Sequence, residues 1–184
     1  MRRRRLFVEI RLHGRGGQGI VTAAEMLVEA VTLQGYYGQA VPMFGAERRG
    51  APVTSSARIS DRPIRRHSQI YNPDIVAIFD PLFVYRQEVM AGLKEGGSII
   101  VNHKQRPDIQ KFKLFVVDAT RIAIENGLVV AGWAVVNTAM LGAIAKILGI
   151  VSKEALEKAV RKRWSGDLGE RNIRATLQAF EEVS

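Results

Sequence analysis

Cysteine is missing from all 184 residues. The chain alone therefore builds no disulfide, thiolate zinc site, cysteine nucleophile or self-held iron–sulfur cluster. The absence agrees with a reducing compartment, so a cytoplasmic location is the expectation. Aromatic residues are scarce, at 7%, and no basic–aromatic–basic interleaving offers a platform for stacked bases. Helix-turn-helix, zinc-finger and ribonucleoprotein signatures are missing as well, which argues against a nucleic-acid partner. A membrane-spanning run is also wanting. The most apolar stretch, 128–150, is interrupted by Asn137, Thr138 and Lys146 and loosened by Gly132 and Gly142. It reads as a buried helix, or as one docked on another chain. With no repeat, low-complexity tract or long linker, residues 7–184 are expected to form a single domain.

What is present fits an ordinary globular chain: 47% hydrophobic and 24% charged residues, with a formal charge of +9. Much of that charge is local. Arg2 to Arg5 form a basic extension over 1–6, and without them the charge is +5. Glu9 and Arg11 break the apolar run that a signal peptide would need after such a start. Arg48–Arg49, Arg65–Arg66 and Arg161–Lys162–Arg163 are short and scattered. Such a surface suits acidic neighbours or an anionic coenzyme.

Strand and helix signals alternate along the chain. Residues 6–13 alternate in the manner of a strand, and from Ile20 the apolar positions Ala23, Ala24, Leu27, Val28 and Val31 make a helical stripe that Gly35 stops. Strands are expected at 38–44 and 52–59, with 64–70 returning after the turn Ser60-Asp61-Arg62-Pro63 as a hairpin partner. Further strands fall at 74–80, 98–102 and 114–118, and helices at 82–94 and from Ala119. Ser152 caps a helix in which Glu154/Lys158 and Glu157/Arg161 lie four apart, and a last helix covers 168–182. Apolar strands alternating with helices predict an α/β, doubly wound fold: a mainly parallel sheet with helices on both faces and a helical carboxyl end.

The run Gly14-Arg15-Gly16-Gly17-Gln18-Gly19 has the G-x-G-x-x-G form between a strand and a helix. Glycines there let backbone N–H groups approach an anion at the positive helix end, or simply allow close strand–helix packing. A dinucleotide site also wants an acid about twenty residues on, yet no Asp or Glu lies between Ala30 and Ala46. A Walker loop wants Lys-Ser/Thr where Ile20-Val21 stand. His13, Asp80, Asn102 and Asp118 fall at the carboxyl ends of the expected strands, where open α/β sheets keep ligands. Asp80 and Asp118 are equally placed to cap helices, and His13 has no second ligand at metal spacing. Glu47, Arg48 and Arg49 form a charged loop available to a ligand or partner, or a surface salt-bridge cluster. No catalytic residue set and no metal ligand set emerges.

HGRGGQG at 13–19, GAERRGAPV at 45–53, PIRRHSQIYNPD at 63–74 and VNTAMLGA at 136–143 together resemble the gamma subunit of 2-oxoacid:ferredoxin oxidoreductases. The likeness runs from about Phe7 to the carboxyl end and is nearest the pyruvate (pyruvate synthase) and 2-ketoisovalerate members. It implies a heterotetramer with alpha, beta and delta subunits that uses thiamine diphosphate, Mg, [4Fe–4S] clusters and coenzyme A, and passes electrons to ferredoxin. This chain then holds no cofactor alone. It lacks cysteine, and its nearest approach to the GDG metal–diphosphate motif, Gly166-Asp167-Leu168-Gly169, has Leu where the second Gly belongs. Beyond the resemblance, the expectation is that Gly14–Gly19 and Glu47–Arg49 face the mouth of the alpha/beta active site. There the loop N–H groups with Arg15, Arg48 or Arg49 hold coenzyme A phosphates or order the substrate channel, or Glu47 fixes those arginines by pairing. The competing reading is a free-standing nucleotide- or anion-binding regulatory module that uses the GRGGQG loop directly.

Overall fold

The computed structural model describes residues 5–43 and 50–184. Strand β1 (Phe7–Arg15) alternates strictly. Ile10 and Leu12 enter the main core, while Glu9, Arg11 and His13 face the other side and are also buried. Helix α1 (Ile20–Leu33) follows with Ala23, Ala24, Leu27 and Val31 inward, and it ends at Gln34 and Gly35, whose φ is +81°. Strands β2 (Tyr37–Pro42) and β3 (Pro52–Ser60) pair antiparallel with each other, and β3 pairs antiparallel with β1 from Phe7↔Ser60 to Arg15↔Pro52.

Strand β4 (Ile75–Ile78) lies parallel to β1 on its other side, followed by β5 (Ser98–Asn102) and β6 (Lys113–Val117), all parallel. The order is β2-β3-β1-β4-β5-β6. The fold is thus α/β around a mostly parallel sheet, with its antiparallel pairs confined to the β2–β3–β1 side. One face carries α1, α3 (Ala119–Glu125), α4 (Asn137–Leu148), α5 (Lys153–Arg163) and α6 (Gly166–Glu182) over the main core. The other face is covered thinly, by a 3₁₀ turn at Pro81–Tyr85 and the single-turn helix α2 (Gln87–Met90), around Val76, Ile78, Phe83, Ile99 and Val101. The carboxyl end is helical, as expected.

Three expected elements are not formed, and the causes are physical. Segment 64–70 adds no strand, because Arg58, fully buried on β3, turns its guanidinium onto the carbonyls of Arg66, Ser68 and Gln69. Those acceptors are then unavailable to a ladder. The expected helix 82–94 is split at Arg86, whose φ and ψ are −93° and 117°, and it stops at Met90. Here Arg11 reaches up from β1 and takes the carbonyls of Val89 at 2.9 Å and Ala91 at 2.6 Å. The apolar stretch 128–150 is not one helix. It begins as a hairpin of β7 (Val129–Val130) and β8 (Trp133–Ala134), turning on Ala131 (φ +48°) and Gly132 (φ +80°) before α4 starts. Two positive-φ residues are what a two-residue hairpin turn requires.

Ser152 caps α5 as expected, accepting from the Ala155 amide at 3.2 Å. Arg161, however, bonds Glu170 of α6 instead of completing a pair with Glu157 on its own helix. Among the described residues no helix is long and apolar enough to cross a membrane.

Candidate functional site

The neighbours of β1 depart in opposite directions, β3 to one side and β4 to the other. The crevice at its carboxyl end is therefore the point where an open α/β sheet accepts ligands. The glycine run sits there. β1 extends through Gly14 and Arg15, two residues further than the alternation predicts, so His13 lies within the strand and not at its end. The loop then closes on itself: the Gln18 amide donates to the Arg15 carbonyl at 3.1 Å, and the Arg15 amide donates to Gln18 Oε1 at 2.7 Å. Gln18 is thereby spent inside the loop.

The glycines divide by task. A Cβ on Gly14 would stand 2.8 Å from Ile20 Cδ1 and 2.9 Å from Phe79 Cβ, so the packing role is real there. Gly19, with φ +74°, caps α1, and a Cβ on it would strike the Asn137 side chain at 2.6 Å. Gly17, with φ +96°, forms the exposed tip. No side chain caps α1 at Gly19, so the first-turn amides at the positive helix end receive no capping oxygen from that residue. Close packing thus falls to Gly14 and Gly19, and the exposed turn to Gly17.

Arg15 is engaged within the chain. Its Nε pairs with the Asp80 carboxylate, its Nη1 donates to the Gly50 carbonyl at 3.1 Å, and its guanidinium stacks on Phe83 at 5.0 Å. Asp80 also caps the 3₁₀ turn, accepting from the Leu82 amide at 2.9 Å. The pair welds the ends of β1 and β4 across the crevice, and the charge of Arg15 is spent there. Gly16 meanwhile donates to Ala51 O at 2.9 Å and accepts from the Gly50 amide at 3.0 Å. Glu47, Arg48 and Arg49 lie outside the described residues; Gly50, the residue that follows them, is bound to the glycine loop.

The remaining strand-end residues are structural. Asn102 donates to Phe79 O at 2.8 Å and accepts from the Thr120 amide at 3.1 Å, tying β4, β5 and α3 together. Asp118 caps α3 through the Arg121 amide at 2.9 Å. His13 is buried, and its pKa is lowered to about 4, by burial first and the Arg11 charge second. Asp167, in the GDLG run, sits in the first turn of α6 and pairs with Arg171 at 2.7 Å. Among the described residues no group of three or more His, Asp or Glu is placed to hold a metal.

Asn137, against Gly19, is a site residue that the sequence patterns do not single out. Its one signal is position inside VNTAMLGA, and nothing local shows that α4 begins under the glycine loop. It is almost fully buried, and its Oδ1 accepts from the Thr138 amide at 2.8 Å.

The geometry defines an α/β chain with a glycine loop braced by Arg15 and Asp80 at the switch point of its sheet. The chain belongs to the pyruvate ferredoxin/flavodoxin oxidoreductase family, whose model matches residues 9–182. It is 50% identical over 183 residues to the pyruvate/ketoisovalerate oxidoreductases common subunit gamma of Thermococcus litoralis, covering 96% of this chain and 97% of that one. The pyruvate synthase subunit PorC of Methanothermobacter marburgensis is 46% identical over 176 residues, with 96% and 97% covered. The crystal structure of the pyruvate oxidoreductase subunit PORC from Thermotoga maritima superposes with a TM-score of 0.83 at 36% identity, over 97% of each chain. The chain is a gamma-type subunit of this family.

Proposed function

We propose that the chain completes, with alpha, beta and delta subunits in the cytoplasm, a pyruvate or 2-ketoisovalerate:ferredoxin oxidoreductase that releases acyl-coenzyme A. In this reading residues 7–184 act as one unit, and loops 14–19 and 47–49 line the mouth through which coenzyme A enters. The residues of this chain do not fit the redox groups. A sequence without cysteine supplies no cluster thiolate, and the Asp167 carboxylate is held by Arg171. Decarboxylation on thiamine diphosphate with Mg, and electron transfer through [4Fe–4S] clusters to ferredoxin, therefore fall to the partner subunits.

One observation carries the reading of the mouth. The reciprocal backbone bonds of Gly16 with Gly50 and Ala51 join the glycine loop to the loop that bears Glu47, Arg48 and Arg49. Gly16 thus holds the two residues that directly follow the second segment of the proposed mouth. Within it the amides at the start of α1 meet a phosphate through backbone and dipole. Arg15 supports them by bracing Asp80 and Gly50, and Arg48 or Arg49 supplies the positive charge that Arg15 cannot.

The test is steady-state kinetics of the assembled enzyme carrying Arg48→Ala and Arg49→Ala together. The KM for coenzyme A rises about tenfold or more, in keeping with one lost charge-assisted contact, and the KM for pyruvate stays put. An unchanged coenzyme A KM in an intact complex overturns the role at the mouth.

A further inference from the structure

We infer that the opposite end of the sheet carries a docking groove for an acidic, apolar-centred segment of a partner polypeptide. The groove has a volume of about 680 Å³ and is lined by Arg5, Arg62, Arg65 and Arg66 around Phe7 and Ile64. Phe7 opens β1 and pairs with Ser60, the last residue of β3. The glycine loop begins at the far end of the same strand, roughly 26 Å away at the usual rise of a strand. The two sites are therefore separate.

Arginines elsewhere in the chain are largely spoken for: Arg15, Arg58, Arg121, Arg161, Arg163 and Arg171 all hold carboxylates. Among the described residues, Arg5, Arg62, Arg65 and Arg66 make no ion pair at all, although Asp61 stands beside Arg62 in sequence. Their backbone is nonetheless held in place. The Asp61 amide donates to Leu6 O at 3.2 Å and the Arg62 amide to Ser60 Oγ at 3.1 Å. Arg58 clamps the carbonyls of Arg66, Ser68 and Gln69 from below. Three guanidinium groups without an ion pair among the described residues, those of Arg62, Arg65 and Arg66, are thus presented on a fixed arm, with Arg5 lining the same groove from the segment before β1.

Charge complementarity names the occupant as an anion, and the lining selects a polypeptide. All four arginines are exposed, whereas the floor of Phe7 and Ile64 is half-buried, with Arg66 stacked on Phe7 at 5.6 Å. An apolar centre inside an arginine rim is the layout of a protein interface, and the guanidinium fork matches carboxylates in pairs. The lining carries no glycine loop of the kind a small-phosphate site would use, and its one buried polar side chain, Ser60, is taken by the Arg62 amide. The partner segment is accordingly rich in Asp and Glu around an apolar residue that seats on Phe7 and Ile64. This inference rests on the reading that the chain works inside an assembly.

The test is fluorescence-polarisation titration of the full chain with a labelled synthetic peptide of Asp and Glu around a central Leu. Binding is expected, weakening with added salt and falling about tenfold or more in the triple variant Arg62→Ala, Arg65→Ala, Arg66→Ala, whose exposed positions leave the thermal midpoint unchanged. The peptide with Ser in place of Leu binds several-fold more weakly. Equal binding by the triple variant, or by a peptide with Asn and Gln in place of the acids, overturns the proposal. So does displacement of the peptide by inorganic pyrophosphate or a single-stranded oligodeoxynucleotide at lower concentration. Should peptide binding fail while the chain still assembles and supports activity, the groove is wrong and the assembly stands. Peptide binding by a chain that joins no partner subunits shows the reverse: the groove stands and the assembly is wrong.

Discussion

Arg11 donates from Nε to Nε2 of His13 at 2.8 Å, two residues along the same strand. A guanidinium only donates, so Nε2 is bare and the single ring proton sits on Nδ1, 3.3 Å from the Thr54 hydroxyl. Arg11 completes its own bonding on the carbonyls of Tyr71, Val89 and Ala91 and pairs with no carboxylate among the described residues. A charged imidazole beside it would be a second buried cation. Burial, and then the Arg11 charge, accordingly hold the His13 pKa at about 4.

The consequence is a stability loss in mild acid. In the unfolded chain His13 titrates near its ordinary value of about 6.5, so between there and about 4 the unfolded state binds the extra proton. Stability is therefore level above about pH 6.5 and falls as the pH drops toward 4, by about 3 kcal/mol in all. Urea denaturation of wild type and His13→Gln, near pH 7.5 and again near pH 4.5, reads the difference. Gln keeps an acceptor for Arg11 and takes no proton, so the variant escapes that part of the loss. Equal losses in the two proteins would show that His13 is not the group responsible.

Arg58 is 0% exposed and bonds Glu9 Oε1 at 2.9 Å. Removing Glu9 strands a buried charge, and Glu9→Ala is expected to cost about 3–5 kcal/mol. Arg58→Met removes the charge as well as the clamp. Its signature is regional: amide hydrogen exchange accelerates across 64–70, where the carbonyls lose their donor, while α4 and α6 keep their protection. Uniform acceleration would mean that the clamp is not what orders this arm.

Gly19 and Asn137 make a test of the cradle. Gly19→Ala meets both the left-handed backbone and the Asn137 side chain, and costs about 2–4 kcal/mol. In an Asn137→Ala background the steric part disappears, so the same substitution should cost only about 1–2 kcal/mol. Thermal or chemical denaturation of the four proteins closes this cycle, and strict additivity would deny the contact.

The features legible in sequence share a short range. The stripe from Ile20 to Val31, the caps at Asp80, Asp118 and Ser152, and the stop at Gly35 depend on neighbours within a turn or two, where spacing decides which face is buried. The segments that depart from expectation, 64–70 and 82–94, are reshaped from a distance. Arg58 bonds carbonyls up to eleven residues on, and Arg11 reaches eighty residues to Ala91. No window of local periodicity contains those donors. Arg15 belongs with them, since its partner Asp80 lies 65 residues away and meets it only because β1 and β4 are adjacent.

The sequence by itself determined the α/β class, the family motifs and the chemistry the chain cannot do, because a missing thiolate or a missing acid is missing in every conformation. Tertiary structure alone decided which charges are spent. Strand order put Asp80 beside Arg15, Glu9 beside Arg58 and carbonyls above Arg11, and it gathered four arginines that make no ion pair among the described residues. Ionic partnership is a matter of distance through space, and only the fold sets that distance.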